Sequence, residues 1–244
     1  EFVAFWKVSD EANRSVIDHR LWDQVLRPHV RISDEGIATF PYISLGKSEL
    51  KEIKKYLSKM DNLDPRKYSR REQQAYWMNV YNALSVQAVR ESIQSLKQKG
   101  LEEGLPKEVW SKKRIKIARK KLSLNDIKDR ILHPIFKDHR IHFGLNCATL
   151  DCPNFTEKAY TARNLKAQLK ASERRFMEGG FGFQFNKNSL IVARLFKLNL
   201  SDFAKDEKSL NKFFTYFASD NDALYLLGYT GPIQYVSDTR LNIH

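Results

Sequence analysis

Hydrophobic residues recur three and four positions apart in several parts of the chain, which is the spacing of an amphipathic helix. This pattern predicts helices over residues 15–30, 47–60, 69–96, 161–179 and 208–218. The helix over 69–96 carries apolar residues on more than one face, so we expect it to be buried. It begins with a capping-box spacing, because Ser69 is followed three residues later by Glu72.

Alternating and extended patterns predict the strands. In the stretch DHRIHFGLNC, residues 138–147, three apolar residues alternate with others and predict a strand: Ile141, Phe143 and Leu145. Residues 181–196 predict a β-hairpin that turns at 186–188. The Pro-containing stretch 35–45 is typical of an edge strand.

Helices and short strands mix without the regular alternation of a nucleotide-binding sheet. The predicted fold class is therefore α+β, with mixed helices around a small, mainly antiparallel sheet. The predicted organisation is an N-terminal extension or arm over residues 1–16, followed by a single domain over residues 17–244. The chain opens without Met, so we expect its N-terminus to be processed or truncated.

A polar stripe runs along the long helix. Glu72, Asn79 and Asn82 follow one another at steps of seven and three residues, which places them on one side of a helix. Buried amides need hydrogen-bond partners. The stripe therefore either bonds neighbouring backbone or lines a cleft, and the sequence alone leaves both interpretations open.

The chain is basic, with 42 Lys plus Arg against 29 Asp plus Glu. Residues 107–121 hold the densest basic patch, which includes Lys112, Lys113, Arg114 and Lys116. This patch indicates either an anionic polymer as partner or an ordinary solvated hairpin. Nucleic acid is disfavoured because no zinc-finger, helix-turn-helix or ribonucleoprotein motif is present. No apolar run approaches the roughly 20 residues that span a bilayer.

Both cysteines of the chain, Cys147 and Cys152, lie in one short stretch together with His142. A zinc site would favour paired Cys or His spacings that are missing here. A disulfide bond or two inert thiols are compatible with the spacing. Cys147 is also a candidate nucleophile, but five residues along one strand would separate it from His142 by about 16 Å. The pair would work as nucleophile and base only if the chain turns between them.

Three segments together resemble the bacterial domain-of-unknown-function 547 family. These are EQQAYWMNVYNAL (72–84), SLNDIKDRIL followed by HRIHFGLNCATLDCP, and AYTARNL (159–165) with the closing YVSDTRLN. The resemblance extends from about residue 20 to residue 242 and falls on Trp77, Asn79, Tyr81, Asn82, His142, Asn146, Cys147, Cys152 and Pro153. The chain departs from the family pattern at Lys128, where Glu is usual, and at Asp238–Thr239, where Asp-Trp is usual.

The resemblance implies a bacterial protein of the envelope, periplasmic or secreted. A looser analogy is to papain-like and transglutaminase-like hydrolases, in which a helix residue faces a histidine on a sheet. The sequence hypothesis is a cysteine-dependent hydrolase or acyl/amide transferase acting on peptide-like or cell-envelope material, with no cofactor and no metal. Its predicted catalytic residues are Cys147 as nucleophile, His142 as base and Asn79 or Asn82 as the orienting or oxyanion-stabilising amide. Predicted substrate-binding residues are Glu72, Trp77, Tyr81 and Asn146.

The alternative hypothesis is a non-catalytic module that binds an anionic polymer or a cell-envelope partner through the basic hairpin. Under either hypothesis we expect His142 and the stripe of Asn79 and Asn82 to face the same space. An unpaired buried amide or imidazole costs about 1–3 kcal/mol, and mutual pairing or a shared cleft removes that cost.

Overall fold

The structure is a computed structural model that describes residues 1–99, 105–153, 155–186 and 189–244. Its α-helices are α1 (Phe2–Trp6), α2 (Arg20–His29), α3 (Lys47–Asp61), α4 (Arg70–Lys99), α5 (Glu108–Ser111), α6 (Leu124–Ile127), α7 (His133–Phe136), α8 (Leu165–Glu178), α9 (Arg194–Leu198), α10 (Leu200–Phe203), α11 (Glu207–Phe214) and α12 (Asp220–Gly228). A π-helical turn, Lys128–Leu132, joins α6 to α7. Two 3-10 turns are Pro65–Lys67 and His139–Phe143.

The strands are β1 (Arg31–Ile32), β2 (Ala38–Thr39), β3 (Ile115–Ile117), β4 (Lys120–Leu122), β5 (Phe183–Asn186), β6 (Ser189–Ala193) and β7 (Ile233–Val236). Three antiparallel pairs form, β1–β2, β3–β4 and β5–β6, and β7 adds to β6 in parallel. The fold is α+β, as predicted. The predicted hairpin over 181–196 is confirmed by β5 and β6, and its tip at 187–188 lies outside the described residues.

Two apolar clusters make up the interior. The first surrounds α4 and includes Trp22, Tyr76, Trp77 and Leu132. Trp6 of the N-terminal segment belongs to it, since its ring packs edge-on against Trp77 with centroids 5.0 Å apart. The second cluster packs the end of α8, the β5–β6–β7 sheet and α9 to α12 around Phe196 and Phe214. Within the described residues, no helix is long and apolar enough to cross a membrane.

The strand predicted over residues 138–147 is wrong, because residues 139–143 form a 3-10 turn. The segment lies between the two clusters: Ile141 packs into the first and Phe143 into the second. All residues from 141 to 146 are buried, so the alternation of burial that a half-exposed strand needs is missing. A Cβ on Gly144 would lie 2.5 Å from the Tyr160 hydroxyl and 2.6 Å from Met78 Cε, so glycine permits this close approach.

The start of α6 is stabilised by a buried carboxylate. Asp126 and Ser123 form a capping box, and Asp126 also pairs with Lys113 and Arg130. Burial raises the pKa of Asp126, but the hydrogen bonds from Lys113, Ser123 and Arg130 outweigh it and bring the pKa down to about 2. Asp126 therefore remains a carboxylate at pH values near 3.8, at which an ordinary aspartate is half protonated.

We expect Asp126→Asn to lower the free energy of unfolding at pH 7 by about 2 kcal/mol, because hydrogen bonds to charged groups contribute about 1.5–3 kcal/mol each. A depressed pKa stabilises the fold above the unfolded value of 3.8, and this contribution is lost as the pH falls through about 2. Urea unfolding should therefore show a constant difference from wild type above pH 4 that shrinks between pH 4 and pH 2. Asp129→Asn is the control, because its carboxylate is exposed and should change stability by less than about 1 kcal/mol. A difference for Asp126→Asn that persists at pH 2 would contradict this account.

Candidate functional site

A cleft of about 270 Å³ contains the sequence motif that holds both cysteines. We call it the reaction cleft because it contains Cys147 and His142, the nucleophile and base of the sequence hypothesis. Its wall includes Tyr81, Lys128, His142, Cys147, Thr149, Asp151, Cys152, Arg194, Asn199, Ser237 and Thr239. Tyr81 comes from the long helix α4, His142 from the 3-10 turn, and Arg194 from the first turn of α9. The cleft therefore lies where the two apolar clusters meet.

His142 is held by a carboxylate that lies 60 residues further along the chain. Its Nε2 lies 2.8 Å from Asp202 Oδ2. Only 4% of the His142 side chain is exposed, whereas Asp202 at the end of α10 is 40% exposed. Burial lowers the pKa of His142, although the hydrogen bond with Asp202 opposes this shift. A neutral imidazole next to a carboxylate donates its N–H to it, so Nε2 carries the proton and Nδ1 keeps a lone pair.

His133 stacks on His142, with ring centroids 4.1 Å apart and an interplanar angle of 24°. Burial, together with the neighbouring His142 and Lys128, lowers the pKa of His133 to about 3. Both rings are therefore neutral near pH 7. His133 Nε2 is buried and has no hydrogen-bond partner among the described residues.

Two groups of side chains have the composition of a metal-ligand set. Ligand atoms of His133, His142 and Asp202 lie within 4.8 Å of one another. The same holds for Cys147, Asp151 and Cys152. The second group lacks free thiolates, because its two sulfur atoms are bonded to each other. Neutral imidazoles with a carboxylate suit a divalent transition metal, so the first group is the one in the described chain that fits such an ion.

Cys147 and Cys152 form a disulfide bond, with Cα atoms 6.1 Å apart. The bond closes the loop 147–152 at the edge of the reaction cleft. Cys147 Sγ also lies 3.1 Å from Thr149 Oγ1. While the bond is intact, Cys147 has no thiolate to offer. The cleft nevertheless contains a neutral imidazole, which can accept a thiol proton, and the cations of Lys128 and Arg194, which stabilise a thiolate.

Asn79 and Asn82 lie in the interior, and neither lines the reaction cleft. Asn79 pairs twice with the backbone of Tyr160, donating from Nδ2 (2.7 Å) and accepting at Oδ1 (2.9 Å). Asn82 donates to Gly144 O (2.9 Å) and accepts from Asn146 N (2.9 Å). These contacts tie α4 to the chain around the cleft, so we assign both amides a structural role in place of the predicted catalytic one.

The same contacts revise the expected co-location of His142 with the amide stripe. Asn82 does reach the segment that carries His142, at Gly144 and Asn146. The imidazole itself pairs with Asp202 and stacks on His133. Asn82 and His142 thus meet the same chain segment but have different hydrogen-bond partners. Backbone groups pair with the amides, and Asp202 pairs with the imidazole.

Of the four predicted substrate-binding residues, one lines the reaction cleft and the other three are buried elsewhere. Tyr81 lines the reaction cleft, and its hydroxyl has no hydrogen-bond partner within the described part of the chain. Burial raises the pKa of Tyr81, so the hydroxyl remains a donor. Glu72 accepts from the Ile17 backbone at 3.1 Å, and Trp77 is a core residue. Asn146 is fully buried, and its side chain hydrogen-bonds to Tyr42, Ser85 and the backbone of Ala148.

The basic patch is partly neutralised within the chain. Lys113 pairs with Asp126, and Arg114 pairs with Glu91 at 2.6 Å. Lys112, directly after α5, and Lys116, on β3, are exposed. An anionic partner would therefore meet fewer free charges than the sequence indicates.

Sequence reasoning missed Asp202 and His133. Asp202 occurs in the ordinary stretch NLSDF, and no local pattern connects it to a histidine 60 residues earlier. Lys128 was identified as a departure from the family pattern, and the structure places it in the wall of the cleft.

Residues 65–177 match the model of a family described as "Protein of unknown function, DUF547", so the chain resembles that family over α4 and the cysteine loop through to the last turn of α8. Asp202 and the β5–β6–β7 sheet lie outside the matched residues. No curated protein and no solved structure matches the chain. The papain-like or transglutaminase-like arrangement thus stays a prediction.

Proposed function

We propose that this protein is a hydrolase or acyl/amide transferase that uses Cys147 as its nucleophile once the bond to Cys152 has been reduced. The observation that carries the proposal is the common cleft: His142, held by Asp202, lines the same cavity as Cys147. A base that a carboxylate holds, in the same cleft as a nucleophile, is the set of groups that activates thiols and hydroxyls in many unrelated folds.

Reduction by a dithiol would transfer two electrons to the disulfide and leave thiols on Cys147 and Cys152, with the dithiol oxidised to its own disulfide. Asp202 fixes the Nε2–H tautomer of His142, so Nδ1 takes the proton of the Cys147 thiol as sulfur attacks the substrate carbonyl. The Tyr81 hydroxyl donates to the oxyanion that forms.

Collapse of the tetrahedral intermediate breaks the bond to the leaving alcohol or amine, which takes the proton from His142. Cys147 then carries the acyl group as a thioester. Water, or an acceptor amine in a transferase, attacks this thioester while His142 Nδ1 accepts its proton, and sulfur leaves to regenerate Cys147. No redox partner is needed after the initial reduction.

The substrate class and compartment of the proposal come from the family resemblance. We propose a bacterial periplasmic or secreted protein that acts on peptide-like or cell-envelope material. The disulfide supports this setting, because such bonds persist mainly in oxidising compartments. In that setting the bond would act as a protecting group that a local dithiol removes.

The test is hydrolysis of p-nitrophenyl acetate, with a phosphine reductant that leaves no competing thiol. We expect reduction of the wild type to raise the rate by at least about 100-fold, the lower range for a positioned base with its nucleophile. Cys152→Ala should be active without reductant, because Cys147 is then permanently free. Cys147→Ala should be inactive in both conditions.

The two alanine variants are matched controls, since each removes the same disulfide and one sulfur. Equal activity of both variants, or full activity of the oxidised wild type, would contradict the proposal. If neither variant has activity, the protein is not a thiol hydrolase. Salt-sensitive binding of an anionic polymer that is lost on reversing the charges of Lys112 and Lys116 would then support the binding-module alternative.

A further inference from the structure

A second cavity, of about 420 Å³, adjoins the reaction cleft. The two cavities share Asp151 and Ser237 in their walls. Asp151 is held in place by Thr149 Oγ1 at 2.5 Å and by Ser237 Oγ at 2.6 Å. Asp151 of the disulfide loop 147–152 and Ser237 therefore lie where the two cavities meet. A molecule attached at Cys147 would lie next to these two residues.

The walls of the second cavity are mainly apolar. Leu150, Phe181, Phe183, Ile191 and Val236 all contribute to its lining. The charged groups in its wall all have partners: Arg240 pairs with Asp238 at 2.5 Å, and Asp151 accepts hydrogen bonds from Thr149 and Ser237. An apolar group entering the cavity therefore gains buried area without leaving an isolated charge unpaired.

The alternation of the strands explains this apolar wall. Leu190 and Val192 of β6 point into the second cluster, so Ile191 between them lies on the opposite face of the sheet. Ala193, at the end of β6, pairs with Val236 of β7, and both residues line the second cavity. Val236 is 41% exposed, and Ile191 is half-buried. The sheet thus presents an apolar face to this cavity.

We propose that the second cavity binds a saturated acyl chain attached to the carbonyl group that Cys147 attacks. The proposal rests on the proposed function for the position of that carbonyl, and it adds the substrate class. A chain that extends from the reaction cleft past Asp151 and Ser237 would lie against the apolar face of the β5–β6–β7 sheet. Small acyl groups such as acetyl would leave this cavity unused.

The test compares p-nitrophenyl acetate with p-nitrophenyl hexanoate on Cys152→Ala. Each CH₂ group that becomes buried is worth about fourfold in kcat/KM, so we expect hexanoate to exceed acetate by at least about 30-fold. Val236→Trp should reduce this ratio to below about threefold, because the indole fills the cavity. Ile191→Phe is a second, smaller filling variant, which keeps the test valid if Val236→Trp fails to fold. Leu224→Trp is the matched control, because Leu224 is a 72% exposed apolar residue outside the cavity.

Binding of an amide ligand to the oxidised wild type tests the acyl-chain site separately from the proposed function, because binding requires no turnover by Cys147. In an NMR titration hexanamide should bind at least about 30-fold more tightly than acetamide, and Val236→Trp should remove the difference. Ester hydrolysis without any chain-length preference would overturn the acyl-chain site and leave the proposed function standing. Preferential binding of hexanamide without ester hydrolysis would overturn the proposed function and leave the acyl-chain site standing. A chain-length preference that both filling variants retain would also overturn the site.

Discussion

Asn146→Ala is expected to lower the free energy of unfolding by about 4 kcal/mol, the largest stability loss expected for a single substitution near the cleft. The Asn146 side chain is fully buried and makes three hydrogen bonds. Its Oδ1 accepts from Tyr42 Oη (3.0 Å) and from Ala148 N (2.9 Å), and its Nδ2 donates to Ser85 Oγ (2.8 Å). Alanine would remove the acceptor of two buried donors, Tyr42 Oη and Ala148 N, at about 1–3 kcal/mol for each, whereas Ser85 Oγ keeps its bond to Asn82 O.

Urea denaturation measures this loss, and a thermal scan should show a decrease in Tm of about 8–16 °C for a chain of this size. Asn125→Ala is the control, because Asn125 is an exposed asparagine in α6, and its replacement should cost less than about 0.5 kcal/mol. Tyr42→Phe combined with Asn146→Ala should cost clearly less than the sum of the two single substitutions, since both remove the same hydrogen bond. A loss below about 1 kcal/mol for Asn146→Ala would show that the network does not hold the cleft in place.

The parts of the fold that follow local periodicity could be predicted from the sequence. Helices α3, α4 and α8 and the β5–β6 hairpin follow their predicted ranges. One face of α3 and of α8 contacts a core and the apolar residues repeat accordingly, whereas α4 is buried on more than one face, as its apolar residues predict. The cap at Ser69 was also visible, since capping depends on residues three apart: Ser69 Oγ accepts from Glu72 N at 3.4 Å. The Glu72 carboxylate accepts from Ile17 N instead of completing the box.

The segment that carries His142 could not be predicted in this way. It is buried between two apolar clusters, so burial there does not alternate, and the apparent strand pattern of Ile141, Phe143 and Leu145 is coincidental. The 3-10 turn begins at Asp138, whose side chain accepts from Arg140 N, a local signal that the hydrophobic pattern obscured.

The part of the site that consists of motif residues could be predicted from the sequence. The motif identified His142, Cys147 and Tyr81, and all three line the reaction cleft. It also included Asn79, Asn82 and Asn146, whose contacts maintain the backbone around the cleft. A single sequence does not distinguish a residue that supports a cleft from one that lines it, because both are polar residues at buried positions. Asp202 required the tertiary structure, since only folding brings α10 to the 3-10 turn.

His142→Asn is expected to produce the largest loss of reactivity. In the proposed mechanism His142 accepts the thiol proton of Cys147, and a positioned base contributes about 10²–10⁴-fold to a proton-transfer step. Asp202→Asn should have a smaller effect, about tenfold, because the imidazole remains but its tautomer and orientation are no longer fixed. His139→Asn is the matched control, because His139 pairs with Glu173 at 2.7 Å and does not line the reaction cleft.

The most direct test of this account is the rate at which iodoacetamide alkylates each cysteine of the reduced protein, resolved by mass mapping across a pH series. We expect Cys147 to react at least tenfold faster than Cys152 at pH 7, with a midpoint below the ordinary thiol value of about 8.5. His142→Asn should raise the Cys147 midpoint, because the thiol then loses its proton acceptor, whereas His139→Asn should leave it unchanged. Equal rates at the two cysteines, or a Cys147 profile that His142→Asn does not alter, would contradict the claim that His142 and Cys147 act together in one cleft.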